Sequence, residues 1–449
     1  MTKKLDLKKI EFIIDEIIDQ YLYADETNRP WIIGFSGGKD STVLLLLVWK
    51  AIEKIKTVAG ALGRPIHVVC NDTLVENPVI ANYVDKLLDK IKQSAVENDM
   101  PIYVHKTIPR LEESFWVNLI GRGYPVPNNS FRWCTERLKV KPTQRFITEQ
   151  ISENGEAIIL IGTRSDESAT RARSIAKHHI RGNRLTNHPN LPNTYIYAPI
   201  KDLLLEEVWY IINTVKPPWD KDNSELYNIY ADASADDYEC PTVVTDKTHT
   251  SCGQSRFGCW TCTVVKKDKS MSSLVNKGYT WLKPLLDYRD KLVEERQNPK
   301  FRLPYMRNGK EALNGMGTYT PEYRATLLQR LLKIQRELQN KYPNIELISN
   351  QELIAIQVIW YRDFIFNFKV SKIYNSIYQK SIDMGAQEEN IRKEEELLKS
   401  VCKDENEFEL IQDHLLLLKN KALLNRKRGL KDDLEKRIYE EVRKRKLNN

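Results

Sequence analysis

The sequence predicts an α/β protein: a Rossmann-like parallel sheet covered by helices, then a cysteine-rich segment, then a mostly helical C-terminal region. Three observations carry this. A short apolar run at Trp31–Phe35 feeds Gly37 and Gly38 and then a leucine-rich helix from Val43 to about Ile55. Further apolar runs at Pro65–Cys70, Pro101–His105 and Ala157–Ile161 alternate with helical patterns, as parallel strands joined by crossovers do. Four cysteines fall between 240 and 262, and from about Ser272 Leu/Ile periodicity and dense charge dominate.

Length and composition set the frame. A chain of 449 residues exceeds one ordinary core, and the expected divisions are 1–230, 231–271 and 272–449. The net charge of +8 permits a polyanionic partner without establishing one. No apolar run has the length of a membrane span; the longest, Val43–Trp49, reads as a buried helix segment. Near the N-terminus, Leu5, Ile10, Ile13, Ile14, Ile17 and Ile18 have helical spacing with acidic residues between them, unlike a secretory signal. A cytoplasmic chain with no membrane partner is expected. There, seven cysteines argue for metal binding or reactive thiols rather than a disulfide framework.

The first element, WIIGFSGGKDST (Trp31–Thr42), is a strand, a glycine loop and a helix start. Gly37 and Gly38 let backbone N–H groups approach a phosphate, and the helix N-terminus adds positive potential. Lys39 adds a full charge, and Ser36, Ser41 and Thr42 offer hydroxyls. The spacing fits neither a Walker loop nor a G-x-G-x-x-G fingerprint. The second strand ends in NDTLVENP, which places Asp72 where a carboxylate can hold a ribose, an adenine or magnesium, although such a stretch also marks surface turns. The fourth ends in Gly162-Thr163-Arg164, and Arg171 follows within an arginine-dense region suited to phosphate oxygens or to a solvated basic face. Ligands of parallel sheets sit at the carboxyl ends of strands, where all of these fall.

Cys240, Cys252, Cys259 and Cys262 lie close enough to wrap one metal or one cubane cluster, and their spacing leaves zinc and iron–sulfur comparable. Cys134 stands apart among Arg132, Arg137, Lys139 and Lys141, a setting that favours a thiolate. It reads as a further ligand, a persulfide carrier or a buried hydrophobe, with the reactive readings favoured. Cys70 and Cys402 read as bystanders.

SGGKDST resembles the PP-loop of the ATP pyrophosphatases, which cleave ATP between the α and β phosphates. NDTLVENP, through Asp72, Glu76 and Pro78, is similar to the D-T-x-x-E-x-P element of the phosphoadenylyl-sulfate reductase family. GTRSDESATR is similar to that family's G-x-R-x-x-E-S-x-x-R element, which implies phosphate-binding roles for Arg164 and Arg171 with Glu167 orienting them. With RWCTERLK, APIKDLLLEEVWYI, PPWDKDNSELYNIY and the four cysteines, the order of motifs from about Trp31 to Lys267 resembles the DndC type of the bacterial DNA phosphorothioation system.

That resemblance implies an adenine nucleotide α-hydrolase-like fold and replacement of a non-bridging DNA phosphate oxygen by sulfur. It implies ATP bound by Ser36, Gly37, Gly38, Lys39, Asp40, Ser41, Thr42, Asp72, Gly162, Arg164 and Arg171, together with Mg2+. Lys39, Asp40, Cys134 and Arg164 would carry the chemistry, and a [4Fe-4S] cluster would sit on Cys240, Cys252, Cys259 and Cys262. The implied partners are DNA, a cysteine desulfurase and the other phosphorothioation proteins. The alternatives are a phosphoadenylyl-sulfate or adenylyl-sulfate reductase, a PP-loop tRNA thiolase, and a zinc-stapled DNA-binding module. Trp133 before Cys134 and a terminal EVRKRKLNN without cysteine depart from the reductase pattern.

Overall fold

The computed structural model describes residues 7–23, 29–59, 63–178, 184–233, 258–363, 365 and 367–382, and parts of 393–415. The chain divides into two compact units, Met1–Arg110 with Pro127–Arg289, and Leu111–Val126 with Asp290–Asn449.

The first unit is built on a six-stranded sheet of β1 (Trp31–Gly34), β2 (Ile66–Asn71), β3 (Ile102–Thr107), β4 (Ala157–Leu160), β5 (Leu185–Asn187) and β6 (Thr194–Tyr197), in the spatial order β3-β2-β1-β4-β6-β5. All pairings are parallel except the edge pair β5–β6. The central strands alternate between two cores, as a sheet buried on both faces requires. Trp31 and Ile33 join a large core with α1 (Leu7–Leu22), α2 (Lys39–Ala59) and α3 (Pro78–Glu97), while Ile32 enters a smaller one with Val69, Ile159 and Ile147 of α4 (Lys141–Asn154). Val43–Trp49 is fully buried within α2, as expected. The strand order turns from β2 to β4 on either side of β1, so the crevice outside the end of β1 is the switch point where open α/β sheets bind ligands.

The sequence reading anticipated the first four strands and missed β5 and β6, which extend the sheet beyond β4. Helices α5 (Ala169–His178), α6 (Leu205–Thr214), α7 (Ser224–Ala233) and α8 (Lys269–Asn276) follow, then α9 (Lys283–Glu295). α6 and α7 complete the large core through Val208, Ile211, Leu226 and Tyr230.

The second unit is helical in its described part, with α10 (Pro321–Gln339), α11 (Asn350–Arg362) and α12 (Val370–Tyr378). A π-helix at Val117–Gly121 threads into it. Buried Arg324 donates to the carbonyls of Ile120 and Gly121, and the Trp360 indole donates to Ile120 O at 3.0 Å, so the π-helix end is satisfied by side chains. Asp363 accepts two bonds from Arg307, at 2.7 and 2.9 Å, with Arg324 Nη2 3.7 Å away. The expected tract Glu394–Tyr439 lies largely outside the described residues. No helix among the described residues is long and apolar enough to cross a membrane.

Candidate functional site

The glycine loop closes on itself before it meets any ligand. Gly37 has φ +73°, and a Cβ there would lie 2.8 Å from Val84 Cγ2, so only glycine makes the turn. The Ser41 hydroxyl donates to Gly38 O at 3.0 Å and accepts from Ser36 N at 3.3 Å. α2 starts at Lys39, and Thr42 N already bonds Gly38 O at 2.9 Å. The N–H groups of Asp40 and Ser41 are thus those this helix start leaves for a ligand, since that of Lys39 is taken by the Tyr230 hydroxyl.

Gly162, after β4, approaches this backbone closely. A Cβ on it would sit 3.0 Å from Asp40 O and 3.2 Å from Ser41 N. The two strand ends thereby flank a small cavity that opens to solvent. Among the residues anticipated from sequence, Ser36, Gly38, Asp40, Ser41, Gly162 and Arg171 line it; Thr163, Glu167 and Tyr230 complete the wall.

Lys39 and Arg164 stand behind that lining. Asp40 joins them: its carboxylate accepts from Arg164 Nε at 2.6 Å and lies 3.2 Å from Lys39 Nζ. Arg164 is 1% exposed, and its Nη1 donates to Asp166 at 3.3 Å and to Leu203 O at 3.2 Å. It holds Asp40 in place rather than facing the cavity. Burial disfavours its charge, but Asp40 more than offsets this and the guanidinium pKa is raised. Thr42 is buried with its hydroxyl unbonded.

Glu167 bridges this layer to the cavity. It accepts from Arg164 N at 3.0 Å and pairs with Arg171 Nε at 3.1 Å. Burial pushes its carboxyl up to about 7, against the opposing pull of Arg171.

Asp72 lies at the end of β2 and is already engaged. One oxygen accepts from Leu74 N at 2.8 Å, stabilising Leu74 at φ +64°, and the other pairs with Lys106 Nζ at 2.9 Å. Asn77 caps α3 by accepting from Val79 N at 3.1 Å, with Pro78 in the first turn. Half of the NDTLVENP element therefore builds local structure.

The other half meets the cysteine segment. Cys259 forms an antiparallel bridge with Glu76, and Trp260 N donates to Val75 O at 3.0 Å. Thr73 Oγ1 donates to Glu76 Oε1 at 2.8 Å and lies 3.2 Å from Cys259 Sγ. Cys262 N donates to Cys259 O at 3.0 Å, so the C-x-x-C is a tight turn that carries both thiols. Burial, with the Glu76 carboxylate adding to it, pushes the Cys259 thiol well above its ordinary range.

These two thiols fit half of a four-cysteine donor set. Cys240 and Cys252 lie outside the described residues, and among the described residues no three His, Cys, Asp or Glu side chains gather as metal ligands. Cys134, half-buried, immediately precedes the π-helix Thr135–Val140. That helix is tied to the end of β2, where Asn71 Nδ2 donates to Leu138 O at 3.0 Å.

The phosphoadenosine phosphosulfate reductase domain model matches residues 30–265, more than half of the chain. The chain belongs to that family. Two uncharacterized proteins of Methanocaldococcus jannaschii are 29% identical over 202 residues and 28% over 167, covering 44% and 37% of this chain. The chain spans about a third of the length of these curated relatives, 34% and 33%. Among solved structures, phosphoadenylyl-sulfate reductase from Candida auris matches at 16% identity and TM-score 0.29, covering 51% of this chain and 95% of that one. The U34-tRNA thiolase NcsA of Methanococcus maripaludis, with its [4Fe-4S] cluster, matches at 12% and 0.30, covering 65% and 80%.

In this reductase-domain protein two site residues were not singled out from the sequence, although one of them, Tyr230, closes the PPWDKDNSELYNIY stretch. Tyr230 reaches the loop from α7, and its hydroxyl accepts from Lys39 N at 3.0 Å. Arg289, fully buried in α9, donates to the carbonyls of Cys262 at 2.7 Å, Lys266 at 3.0 Å and Val265, and so clamps the chain after the C-x-x-C. The PPWDKDNSELYNIY stretch was a signal that pointed toward Tyr230, whereas a basic residue in a charged helix, such as Arg289, gives none that separates it from ordinary packing.

Proposed function

We propose that this chain splits ATP at the α–β bond and transfers adenylate to a DNA backbone phosphate, preparing a non-bridging oxygen for replacement by sulfur. The observation that carries the reading is the shared use of β2 and its neighbours. The phosphate cradle lies at the end of β1, and the thiol-bearing turn is bridged to the segment leaving adjacent β2. Sulfur chemistry beside nucleotide chemistry is what such an insertion needs.

Phosphate oxygen is a poor leaving group. A non-bridging oxygen of DNA attacks the α-phosphorus, pyrophosphate departs, and the oxygen now leaves as part of AMP when sulfur attacks the DNA phosphorus. The Asp40 and Ser41 N–H groups at the α2 start and the Arg171 guanidinium hold the departing pyrophosphate, while Lys39 offsets its growing charge from behind the loop. Asp40 keeps Lys39 in register, and Arg164 keeps Asp40. Asp40 and Asp72 already hold cations of the protein, so Mg2+ would enter on the polyphosphate oxygens. Cys259 and Cys262 would supply two ligands of a [4Fe-4S] cluster, which would bind and deliver sulfide-level sulfur, the two electrons that release it from a persulfide coming from a cellular thiol reductant. Cys134 is the proposed carrier of sulfur received from a cysteine desulfurase, acting with the other proteins of the modification system.

Mass spectrometry of host DNA, with and without this chain, tests the substrate. Phosphorothioate dinucleotides that vanish on deletion support the proposal; unchanged DNA together with lost tRNA thiolation would assign the chain to thiolation instead. Pyrophosphate release that survives Lys39→Ala would remove the catalytic part.

A further inference from the structure

Tyr230 contacts the loop twice. Its hydroxyl accepts from Lys39 N at 3.0 Å, and the Lys39 ammonium lies 5.7 Å from its ring centroid. The residue is 4% exposed and lines the cavity beside Ser36 and Asp40. Its ring is braced edge-on by Trp209 of α6, with centroids 5.1 Å apart at 86°. A backbone N–H at a helix start is the group that ordinarily meets a phosphate oxygen. Here a phenol oxygen takes it, 191 residues away in sequence.

We infer that Tyr230 is a polyphosphate-binding residue of this site: its hydroxyl extends the Lys39 N–H one bond further into the cavity as an O–H donor, and its face holds the Lys39 ammonium. The inference rests on the reading of the cavity as an ATP site and adds to it the group that recognises the β and γ phosphates. A phenol that accepts a hydrogen bond from an amide is a better donor, because hydrogen bonds in a chain polarise one another. The cation–π contact keeps the lysine charge next to the loop without consuming an oxygen acceptor. The device suits an anion that must be released after the reaction, since a neutral donor holds pyrophosphate less tightly than a second lysine would.

The test uses the full chain and three probes, α,β-methylene-ATP, inorganic pyrophosphate and AMP, titrated calorimetrically. Tyr230→Phe keeps the ring against Trp209 and Lys39 and removes only the hydroxyl. Its Kd for methylene-ATP and for pyrophosphate is expected to rise about tenfold, the usual scale for one hydrogen bond to a charged group. AMP binding stays within about twofold, as does the folded fraction. Tyr230→Leu, which also removes the ring, loses more affinity for both polyphosphates. Unchanged polyphosphate binding in Tyr230→Phe overturns the inference, and so does an equal loss for all three probes, the mark of a merely structural residue. Pyrophosphate binding by Lys39→Ala that equals that of wild type overturns the ATP-site reading as well, which separates the two failures.

Discussion

Replacing Asp40 by Asn isolates what the buried ion network contributes. Arg164 is 1% exposed and its shortest contact is Asp40 Oδ1 at 2.6 Å; Lys39, 3% exposed, lies 3.2 Å from the other oxygen. Asn at position 40 keeps the shape and one acceptor but leaves two buried cations facing no carboxylate at that position. Asp166, 41% exposed and 3.3 Å from Arg164, compensates only in part. Breaking a buried pair by removing one partner costs about 3–5 kcal/mol. For a unit of this size each kcal/mol lowers the melting temperature by roughly 2–4 °C, so a fall of about 6–20 °C is expected in differential scanning calorimetry of the full chain. Asp40→Asn with Arg164→Met removes the more deeply buried of the two stranded charges and should recover more than half of that loss. A single variant that melts with wild type would refute the account of Asp40 as the group that neutralises the loop. A double variant no better than the single would refute the assignment of the cost to Arg164.

Three further outcomes follow from the same geometry. Gly162→Ala places a Cβ 3.0 Å from Asp40 O and 3.2 Å from Ser41 N; the fold should survive at a cost of about 1–3 kcal/mol, while pyrophosphate affinity falls about tenfold or more, and unchanged binding would show that Ser41 N is not a donor. Glu167, raised to about 7 from 4.5, favours the folded state when protonated. Its contribution is present below about pH 4.5 and lost as pH rises through 7, so Glu167→Gln should gain on wild type from pH 5 to pH 8, by up to about 3 kcal/mol in urea titrations. A difference that does not change with pH would contradict this. Arg289→Met leaves three carbonyls without their clamp, and Cys259 and Cys262 should react with a thiol reagent roughly tenfold faster as local opening becomes easier; equal rates would mean that the turn needs no clamp.

Part of this site was legible in the sequence because local constraints overlap there. Gly37 must adopt positive φ, Trp31–Gly34 must be apolar on both faces, and Lys39–Thr42 must open a helix, so the residues can do little else. Strands β5 and β6 were not legible. β5 is three residues long at an edge, and β6 is four residues that follow Pro192 and alternate too briefly to register. The π-helices at Val117–Gly121 and Thr135–Val140 have no periodic signature of their own. The role of Arg164 was half legible: the motif placed it at the strand end, but only the tertiary structure turns its Nε to Asp40 and its Nη1 to Asp166 and Leu203. Tyr230 and Arg289 depend on tertiary contacts, which spacing does not encode.

The bridge between Cys259 and Glu76 has a consequence for how this chain can change. Val75 supplies the carbonyl that fixes Trp260, and Thr73 touches both the Glu76 carboxylate and the Cys259 sulfur, while Asp72 next to it governs the turn at Leu74. Residues 72–76 therefore both finish the exit from β2 and fasten the Cys259 turn to the sheet. A substitution that loosens this stitch should shift the position of the C-x-x-C before it touches the glycine loop, because none of these five residues lines the cavity.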